Sequence, residues 1–267
     1  MTIATGPYGS VLIDKISGAG WLEPTPKRIR ALINGETIVD TTGALLLLEF
    51  GRMPTYYLPI VDIRMDLLKE SDKEITSDDK GKARYWDIQV GERVEKNAAW
   101  CFSQAPAPVE HLAEYIAFKW RAMDMWLEEE EEIFDHPRQP YHRVDILSSH
   151  REVIIEHDGV ELAKTSNALF IYETGMLTRY YIPEADINMV YLEQSNHATG
   201  CPYKGTASYW HINSGDKKIK NGAWAYPNPL PGAERLAGHI AFYNEKIDRI
   251  IVDGKDTDEQ SAYGGKF

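Results

Sequence analysis

The sequence has few cysteines, no long hydrophobic run and no excess of positive charge. Its 267 residues include two cysteines, Cys101 and Cys201, too few for a disulfide framework, and this favours a reducing compartment. No apolar run approaches the ~20 residues of a membrane span. The N-terminus lacks the basic segment and long apolar segment of a secretory signal. The sequence therefore predicts a soluble, cytoplasmic protein.

Nucleic acids and anionic membranes are disfavoured as partners because the net charge is −12, whereas both attract patches of lysine and arginine. The sequence also lacks a Walker-type loop and a GxGxxG motif. We therefore predict no nucleic-acid partner, no membrane and no cofactor. A small molecule stays compatible with the composition, since an acidic protein can bind even a small anion locally.

What the sequence does contain is an ungapped internal repeat. An offset of 124 residues, the separation of Ala44 and Ala168, aligns the two halves. Such a period is too long for a solenoid, whose units have roughly 20–50 residues, so it indicates two tandem copies of one domain. The aligned identities include Gly35 with Gly159, Glu49 with Glu173, Gly51 with Gly175, Tyr56-Tyr57 with Tyr180-Tyr181, Lys80-Gly81 with Lys204-Gly205, Tyr85-Trp86 with Tyr209-Trp210, and Trp100 with Trp224.

The repeat gives the predicted domain boundaries. Residues 27–129 form the first repeat and residues 151–253 the second, and residues 130–150 link them. Residues 1–26 are an N-terminal extension, and the polar, Gly-rich residues 254–267 form a flexible tail. If the repeats have matched apolar faces, we expect them to pack as a pseudo-dimer. A homo-oligomer stays an open alternative.

The local pattern predicts mainly β structure. Alternating polarity over residues 62–67 and the pattern of residues 83–90 indicate strands, and Gly91-Glu92 and residues 214–216 indicate hairpin turns. Short apolar runs at residues 45–48 and 169–172 are typical of buried strands. The segments "PVEHLAEYIAFKW" and "PGAERLAGHIAFY" begin as a short helix, and periodicity leaves open whether they continue as a strand.

Several segments together resemble a known family. "ALFIYETG", "RYYIPEADI", "CPYKGTASYW" and "NGAWAYPNPLPGAERLAGHIAFY" resemble the domain of unknown function 427 family, which is also labelled a nucleotidyltransferase family. The resemblance covers both repeats and the linker. It implies two tandem β-rich domains of the β-tent or Mss4-like kind, each with one short helix, and it provides no catalytic residues. The label is disfavoured by the residues, because the one Asp-x-Asp of the chain is Asp256-Thr-Asp258 in the tail.

The stretch "TGCPYKGTASYW" separates shared from unshared residues. Lys-Gly and Tyr-Trp occur in both repeats and indicate a common turn that leads into a common strand. Cys201 and Tyr203 occur only in the second repeat, where Lys204 or His197 could activate the Cys201 thiol. Glu173 ends a buried strand, as Glu49 does in the first repeat, which is typical of a paired structural acid but leaves a general base open. The catalytic candidates are Glu173, Lys204 and Cys201.

Aromatic residues indicate an apolar pocket with a few polar groups. Members of a Tyr-Tyr or Tyr-Trp pair alternate between the faces of a strand, so one should be core and the other can line a cavity. No Cys-x-x-Cys pair is present, and the counterparts of His197, Cys201 and His211 in the first repeat do not repeat a set of ligands, so we predict no metal. The candidate ligand-binding residues are Glu49, Tyr57, Trp86, Tyr181, Tyr203, Tyr209, Trp210 and Trp224.

The leading hypothesis is a tandem β-domain protein that binds a small molecule in the second repeat. It would perform a simple acid–base step there, with Glu173 as the acid or base. In that hypothesis Glu173→Gln leaves the fold intact. The alternatives are a non-enzymatic interaction scaffold, a thiol-reactive protein that uses Cys201, and the nucleotidyltransferase of the family label.

Overall fold

The computed structural model describes residues 11–13, 20–49, 51–77, 80–105, 109–214 and 218–257. The chain divides into two units, Met1–Gln139 and Pro140–Phe267. In both units the paired strands are antiparallel and the helical segments are short 3-10 turns. The prediction of two mainly β domains related by an internal repeat is confirmed. None of the helical segments in the described ranges has the length and hydropathy needed to cross a membrane.

The first unit has two sheets within the described residues. The larger follows the order β1-β2-β5-β6-β10-β9-β8-β7, and the smaller the order β12-β11-β3-β4. Its strands are β1 (Val11–Ile13), β2 (Gly20–Pro24), β3 (Ile29–Ile33), β4 (Glu36–Thr41), β5 (Leu45–Glu49), β6 (Thr55–Pro59), β7 (Leu68–Ser77), β8 (Gly81–Val90), β9 (Arg93–Phe102), β10 (Tyr115–Phe118), β11 (Met125–Glu128) and β12 (Glu131–Ile133).

The second unit repeats this arrangement in the part of the chain that the structure describes. Its larger sheet follows β13-β16-β17-β21-β20-β19-β18, and its smaller sheet follows β15-β14-β22-β23. Each strand matches a strand of the first unit, except that β1 has no match. The strands are β13 (Val144–Ser148), β14 (Val153–His157), β15 (Val160–Thr165), β16 (Leu169–Glu173), β17 (Arg179–Pro183), β18 (Leu192–Cys201), β19 (Gly205–Ile212), β20 (Ile219–Ala225), β21 (His239–Phe242), β22 (Arg249–Val252) and β23 (Lys255–Asp256).

Both faces of each large sheet carry buried apolar side chains. Tyr56 belongs to the core between the large and small sheets, whereas its neighbour Tyr57 belongs to a second cluster on the opposite face. Tyr180 and Tyr181 divide in the same way in the second unit. The alternation of a strand therefore places both tyrosines of each pair in a core, and neither is left over as an exposed residue.

The predicted strand over residues 62–67 is wrong. The chain instead forms 3-10 turns at Ile60–Asp62 and Met65–Leu67, and Ile63 between them makes an isolated bridge to Val39. Asp62 accepts a hydrogen bond of 2.6 Å from the Thr41 hydroxyl. Ile63, Met65 and Leu67 all pack against the core between the two sheets, whereas Asp62, Arg64 and Asp66 are exposed. The alternating pattern therefore reports real burial, but 3-10 turns provide it here in place of a strand.

Other local predictions agree with the structure. Strands cover the apolar runs at 45–48 and 169–172, and Gly91-Glu92 joins β8 to β9 as a hairpin. The predicted short helices are 3-10 turns, Glu110–Glu114 and Glu234–Leu236, and the strands β10 and β21 follow them. The turn predicted at residues 214–216 falls largely outside the described residues.

Strands also form in the segments that were predicted to lie outside the two repeats. The N-terminal extension contains β2, which pairs with β5, and the linker contains β12 and β13. The segment predicted as a flexible tail begins with β23, which pairs with β22, and its residues 258–267 lie outside the described residues. The pairings of β2 with β5 and of β13 with β16 join residues more than 20 positions apart, so local composition did not indicate them.

Candidate functional site

The turn that carries "CPYKG" closes the hairpin of β18 and β19. Cys201 pairs with Gly205 across the end of the hairpin, and Gly205 has φ +105°. The turn is held from outside by a hydrogen bond of 3.1 Å from the Leu230 N–H to the Lys204 carbonyl oxygen. The equivalent Gly81 has φ +76°, and a Cβ there would lie 2.2 Å from the carbonyl oxygen of Gln104. Glycine is therefore required by backbone geometry in both repeats.

The lysine before this glycine makes a buried ion pair in each repeat. The Nζ of Lys80 lies 2.7 Å from Glu49 Oε1, and the Nζ of Lys204 lies 2.5 Å from Glu173 Oε2. The lysine side chains are 5% and 8% exposed, so each depends on its carboxylate for compensation of a buried charge. The repeated lysine is therefore explained by an ion pair with the end of the neighbouring apolar strand, in addition to the turn.

A second polar pair is also common to the repeats. The indole Nε1–H of Trp224 donates a hydrogen bond of 2.8 Å to the Tyr181 hydroxyl, and Trp100 and Tyr57 occupy the equivalent positions of the first repeat. Burial raises the pKa of both tyrosines above the ordinary value, so they remain neutral hydroxyl groups. These residues are shared supports of the fold, and their repetition alone does not indicate a ligand.

The second repeat adds an imidazole to this shared arrangement. The His142 Nε2 lies 2.9 Å from Glu173 Oε1, the carboxylate oxygen that Lys204 does not bind. The His142 ring stacks on Tyr203 with a centroid separation of 4.4 Å. His142 is placed there because β13 pairs with β16, and the Arg143 N–H donates to the Thr174 hydroxyl at 3.0 Å. Glu173 thus joins an ammonium group and an oriented imidazole.

Glu173 is held in its ionised form by these neighbours. Burial by itself would raise its pKa, but the hydrogen bond from His142 and the charge of Lys204 outweigh burial and lower the pKa from 4.5 to about 2. A carboxylate with that pKa does not carry a proton near neutral pH, so Glu173 is a poor general acid. Its substitution by glutamine would leave the buried Lys204 without a carboxylate, and we no longer expect Glu173→Gln to leave the fold intact.

Cys201 lies beside the aromatic cluster on the same face of the sheet. It is half-buried and packs against a cluster that contains Tyr181, Tyr209 and Trp224. The Tyr209 hydroxyl lies 2.8 Å from the Thr199 Oγ1. Glu173, Lys204, Tyr181, Tyr203 and Tyr209 therefore belong to one end of the second repeat.

Trp86 and Trp210 are not part of that arrangement. Trp86 packs against the core between the two sheets of the first unit, and Trp210 packs against the corresponding core of the second unit. Tyr209 and Trp210 are consecutive on β19 and therefore face opposite sides. The structure brings Tyr209 to the candidate site and places Trp210 on the other face of the sheet.

The histidines weighed as metal ligands have other surroundings. The Nδ1 of His211 accepts a hydrogen bond of 3.0 Å from the Asn221 N–H, and the His197 ring contacts Tyr209. Elsewhere in the second unit, His157, Asp158 and Asp248 place three candidate ligand atoms within 4.8 Å of one another. The Asp248 carboxylate already accepts the Asp158 N–H at 2.8 Å, and both aspartates are exposed.

Comparison with known proteins identifies the family. A family model described as a domain of unknown function (DUF427) matches residues 21–129 and 145–253. The chain belongs to the DUF427 family. No curated protein matches the chain. The two matched segments are related by the same offset of 124 residues as the internal repeat, so each repeat is one DUF427 domain.

Two residues that distinguish the DUF427 repeats were missed in the sequence. His142 falls in the segment predicted as a linker, and nothing in its local pattern connects it with Glu173, 31 positions away. Arg179 contacts the rings of Trp224 and Tyr243, and its counterpart in the first repeat is Thr55. The alignment of the repeats did contain a signal, because Gly18 stands at the position of His142 and Thr55 at that of Arg179.

Proposed function

We propose that the second unit, Pro140–Phe267, binds a small molecule and carries out acid–base chemistry on it through His142. The proposal rests on one observation, the contact of 2.9 Å between His142 Nε2 and Glu173 Oε1. A carboxylate that accepts a hydrogen bond from one ring nitrogen fixes the orientation of an imidazole. Imidazole is the side chain that exchanges protons at about pH 5–8.

The roles differ from those expected from the sequence. Glu173 is a positioning residue in this proposal, because its pKa of about 2 keeps it charged. Lys204 neutralises that charge within the protein. Tyr203 stacks on the imidazole and limits its movement. His142 is the group that exchanges a proton with the bound molecule.

Residue differences between the repeats favour a function of the second repeat. The first repeat keeps the Glu49–Lys80 pair, but Ser77 occupies the position of Cys201 and Gly18 the position of His142. A group that is needed only for chemistry need occur in only one of two tandem copies. The His142–Tyr203 stack involves only residues that the second repeat adds.

A thermal-shift screen of small metabolites tests this proposal. Wild-type protein is compared with His142→Ala and with His150→Ala, a matched control that removes an exposed histidine of the same repeat. We expect compounds that raise the melting temperature of the wild type and of His150→Ala but not of His142→Ala. Turnover of such a compound is expected to depend on pH in the wild type and to fall at least about 100-fold in His142→Ala.

Two outcomes would contradict the proposal. If the same compounds raise the melting temperature of His142→Ala as much as that of the wild type, the imidazole takes no part in binding. If no metabolite raises the melting temperature while a pull-down recovers a stoichiometric protein partner, the chain is an interaction scaffold.

A further inference from the structure

An aromatic cavity of about 160 Å³ lies in the first repeat, away from the residues of the proposed function. Its aromatic walls are Tyr56, Trp100, Phe118, Trp120 and Trp126. Trp120 and Trp126 stack with a centroid separation of 4.7 Å and an interplanar angle of 10°. Apolar cavities of about 150 Å³ are large enough to admit benzene, so this volume suits a small organic group.

The second repeat shows what chemistry this position accepts. There the guanidinium carbon of Arg179 lies 5.7 Å from the Trp224 ring centroid and 5.6 Å from that of Tyr243. The Arg179 Nη1 donates a hydrogen bond of 2.9 Å to Asn244 Oδ1. The Glu245 Oε1 forms a salt bridge of 2.6 Å with the Arg179 Nη2. A cation between aromatic faces, paired with an acid, is a favourable arrangement.

At the offset of 124 residues, these contacts coincide with the lining of the cavity. Thr55 replaces Arg179, and the shorter side chain lines the cavity. Arg179 contacts the rings of Trp224 and Tyr243 and the side-chain amide of Asn244. At the offset, these three residues correspond to Trp100, Lys119 and Trp120, which all line the cavity as well. The first repeat therefore has an opening at the position that a guanidinium side chain occupies in the second.

The charges around the cavity provide a carboxylate for a ligand. Asp135 is part of the lining, and its side chain is 33% exposed. The Arg121 Nη2 lies 3.7 Å from the Asp135 Oδ1. The Arg121 side chain is 91% exposed, so solvent screens this ion pair. The wall also includes Lys119, whose Nζ donates a hydrogen bond of 3.1 Å to the Lys96 carbonyl oxygen.

From these observations we propose that the first repeat binds a small organic cation, of the guanidinium or quaternary ammonium class, in this cavity. The tryptophan faces contact the cation, and Asp135 supplies the counter-charge. Arg179 fills the equivalent space of the second repeat with a side chain of the protein itself.

Binding of choline, followed by the indole N–H signals of ¹⁵N-tryptophan-labelled protein, tests the proposal. We expect saturable shifts of the Trp100, Trp120 or Trp126 signals, assigned with single Trp→Phe variants. The neutral carbon isostere 3,3-dimethylbutan-1-ol should bind at least about tenfold more weakly, because it lacks the cation–π attraction. Equal binding of the two compounds would show a merely apolar cavity and would overturn the proposal.

A reciprocal exchange of the divergent position locates the site. Thr55→Arg should abolish choline binding by filling the cavity, whereas the control Thr55→Val should retain it. Arg179→Thr should add a second set of shifts at Trp224. Asp135→Asn, which keeps the shape of the wall, should weaken binding at least about fivefold and serves as the test if Thr55→Arg does not fold. Unchanged binding in Thr55→Arg or in Asp135→Asn would contradict the proposed site.

Discussion

The two repeats share a buried polar frame and differ in the residues around it. Both contain a glutamate–lysine ion pair, and both place a buried tyrosine and a tryptophan in the same cluster on one face of the large sheet. The second repeat adds His142 and Tyr203 and fills its aromatic space with Arg179, while the first keeps a cavity there. Shared residues therefore explain the fold, and the unshared ones are where functions are to be sought.

The largest expected effect comes from removal of the shared lysines. Lys80→Met and Lys204→Met each leave a buried carboxylate without its ammonium partner, which typically costs about 3–5 kcal/mol of unfolding free energy. Hydrogen exchange measured by mass spectrometry should show the loss in the first unit for Lys80→Met and in the second for Lys204→Met. If only one of the two variants lost stability, the two ion pairs would not have the same structural role.

Acid should weaken the second repeat through Glu173. Because the pKa of Glu173 is lowered in the folded state from 4.5 to about 2, its stabilisation is fully present above about pH 4.5. It is lost as the pH falls towards 2. Hydrogen exchange of the second unit across this range measures the loss. The double variant Glu173→Gln/Lys204→Met should lack this part of the pH dependence, and an unchanged profile would contradict the assignment.

The two turn glycines should differ in their tolerance of alanine. Both substitutions impose a positive φ on a residue with a Cβ, which costs about 1–3 kcal/mol. Gly81→Ala should be the worse, since its Cβ would lie 2.2 Å from a backbone oxygen, whereas the closest contact at Gly205 is 3.1 Å. Thermal unfolding of the two variants gives the order, and a more damaging Gly205→Ala would contradict it.

The smallest effect concerns the thiols and leaves stability unchanged. Cys101 is buried, and burial raises the pKa of its thiol to about 11. Since the thiolate is the reactive form, we expect Cys101 to be alkylated at least about 100-fold more slowly than a free thiol at pH 7.5. Mass spectrometry distinguishes it from the half-buried Cys201. A Cys101 rate equal to that of the free thiol would contradict this assignment.

Much of the fold could be predicted from the sequence because it is repeated. The offset of 124 residues aligns the strands and the shared Glu, Lys, Tyr and Trp, and apolar runs such as residues 45–48 indicate buried strands. The strand predicted over residues 62–67 was wrong because two 3-10 turns also direct alternate residues, Ile63, Met65 and Leu67, towards the core.

The candidate site was only partly predictable. The position of Glu173 at the end of an apolar run predicted that it is paired, but the approach of His142 depends on the pairing of β13 with β16, which local patterns do not encode. The cavity of the first repeat depends on the absence of a long side chain at Thr55. Such an absence has no signal in a single copy and becomes visible only beside Arg179.

Double-mutant cycles of the shared ion pair in the two repeats test the central claim most directly. The cycles compare Glu49→Gln with Lys80→Met, and Glu173→Gln with Lys204→Met, each alone and combined, by unfolding in urea. We expect coupling energies of similar size in the two repeats, about 1–3 kcal/mol each, so that each double variant costs less unfolding free energy than the sum of its two single variants. Coupling close to zero, or coupling in the second repeat alone, would contradict a shared structural frame.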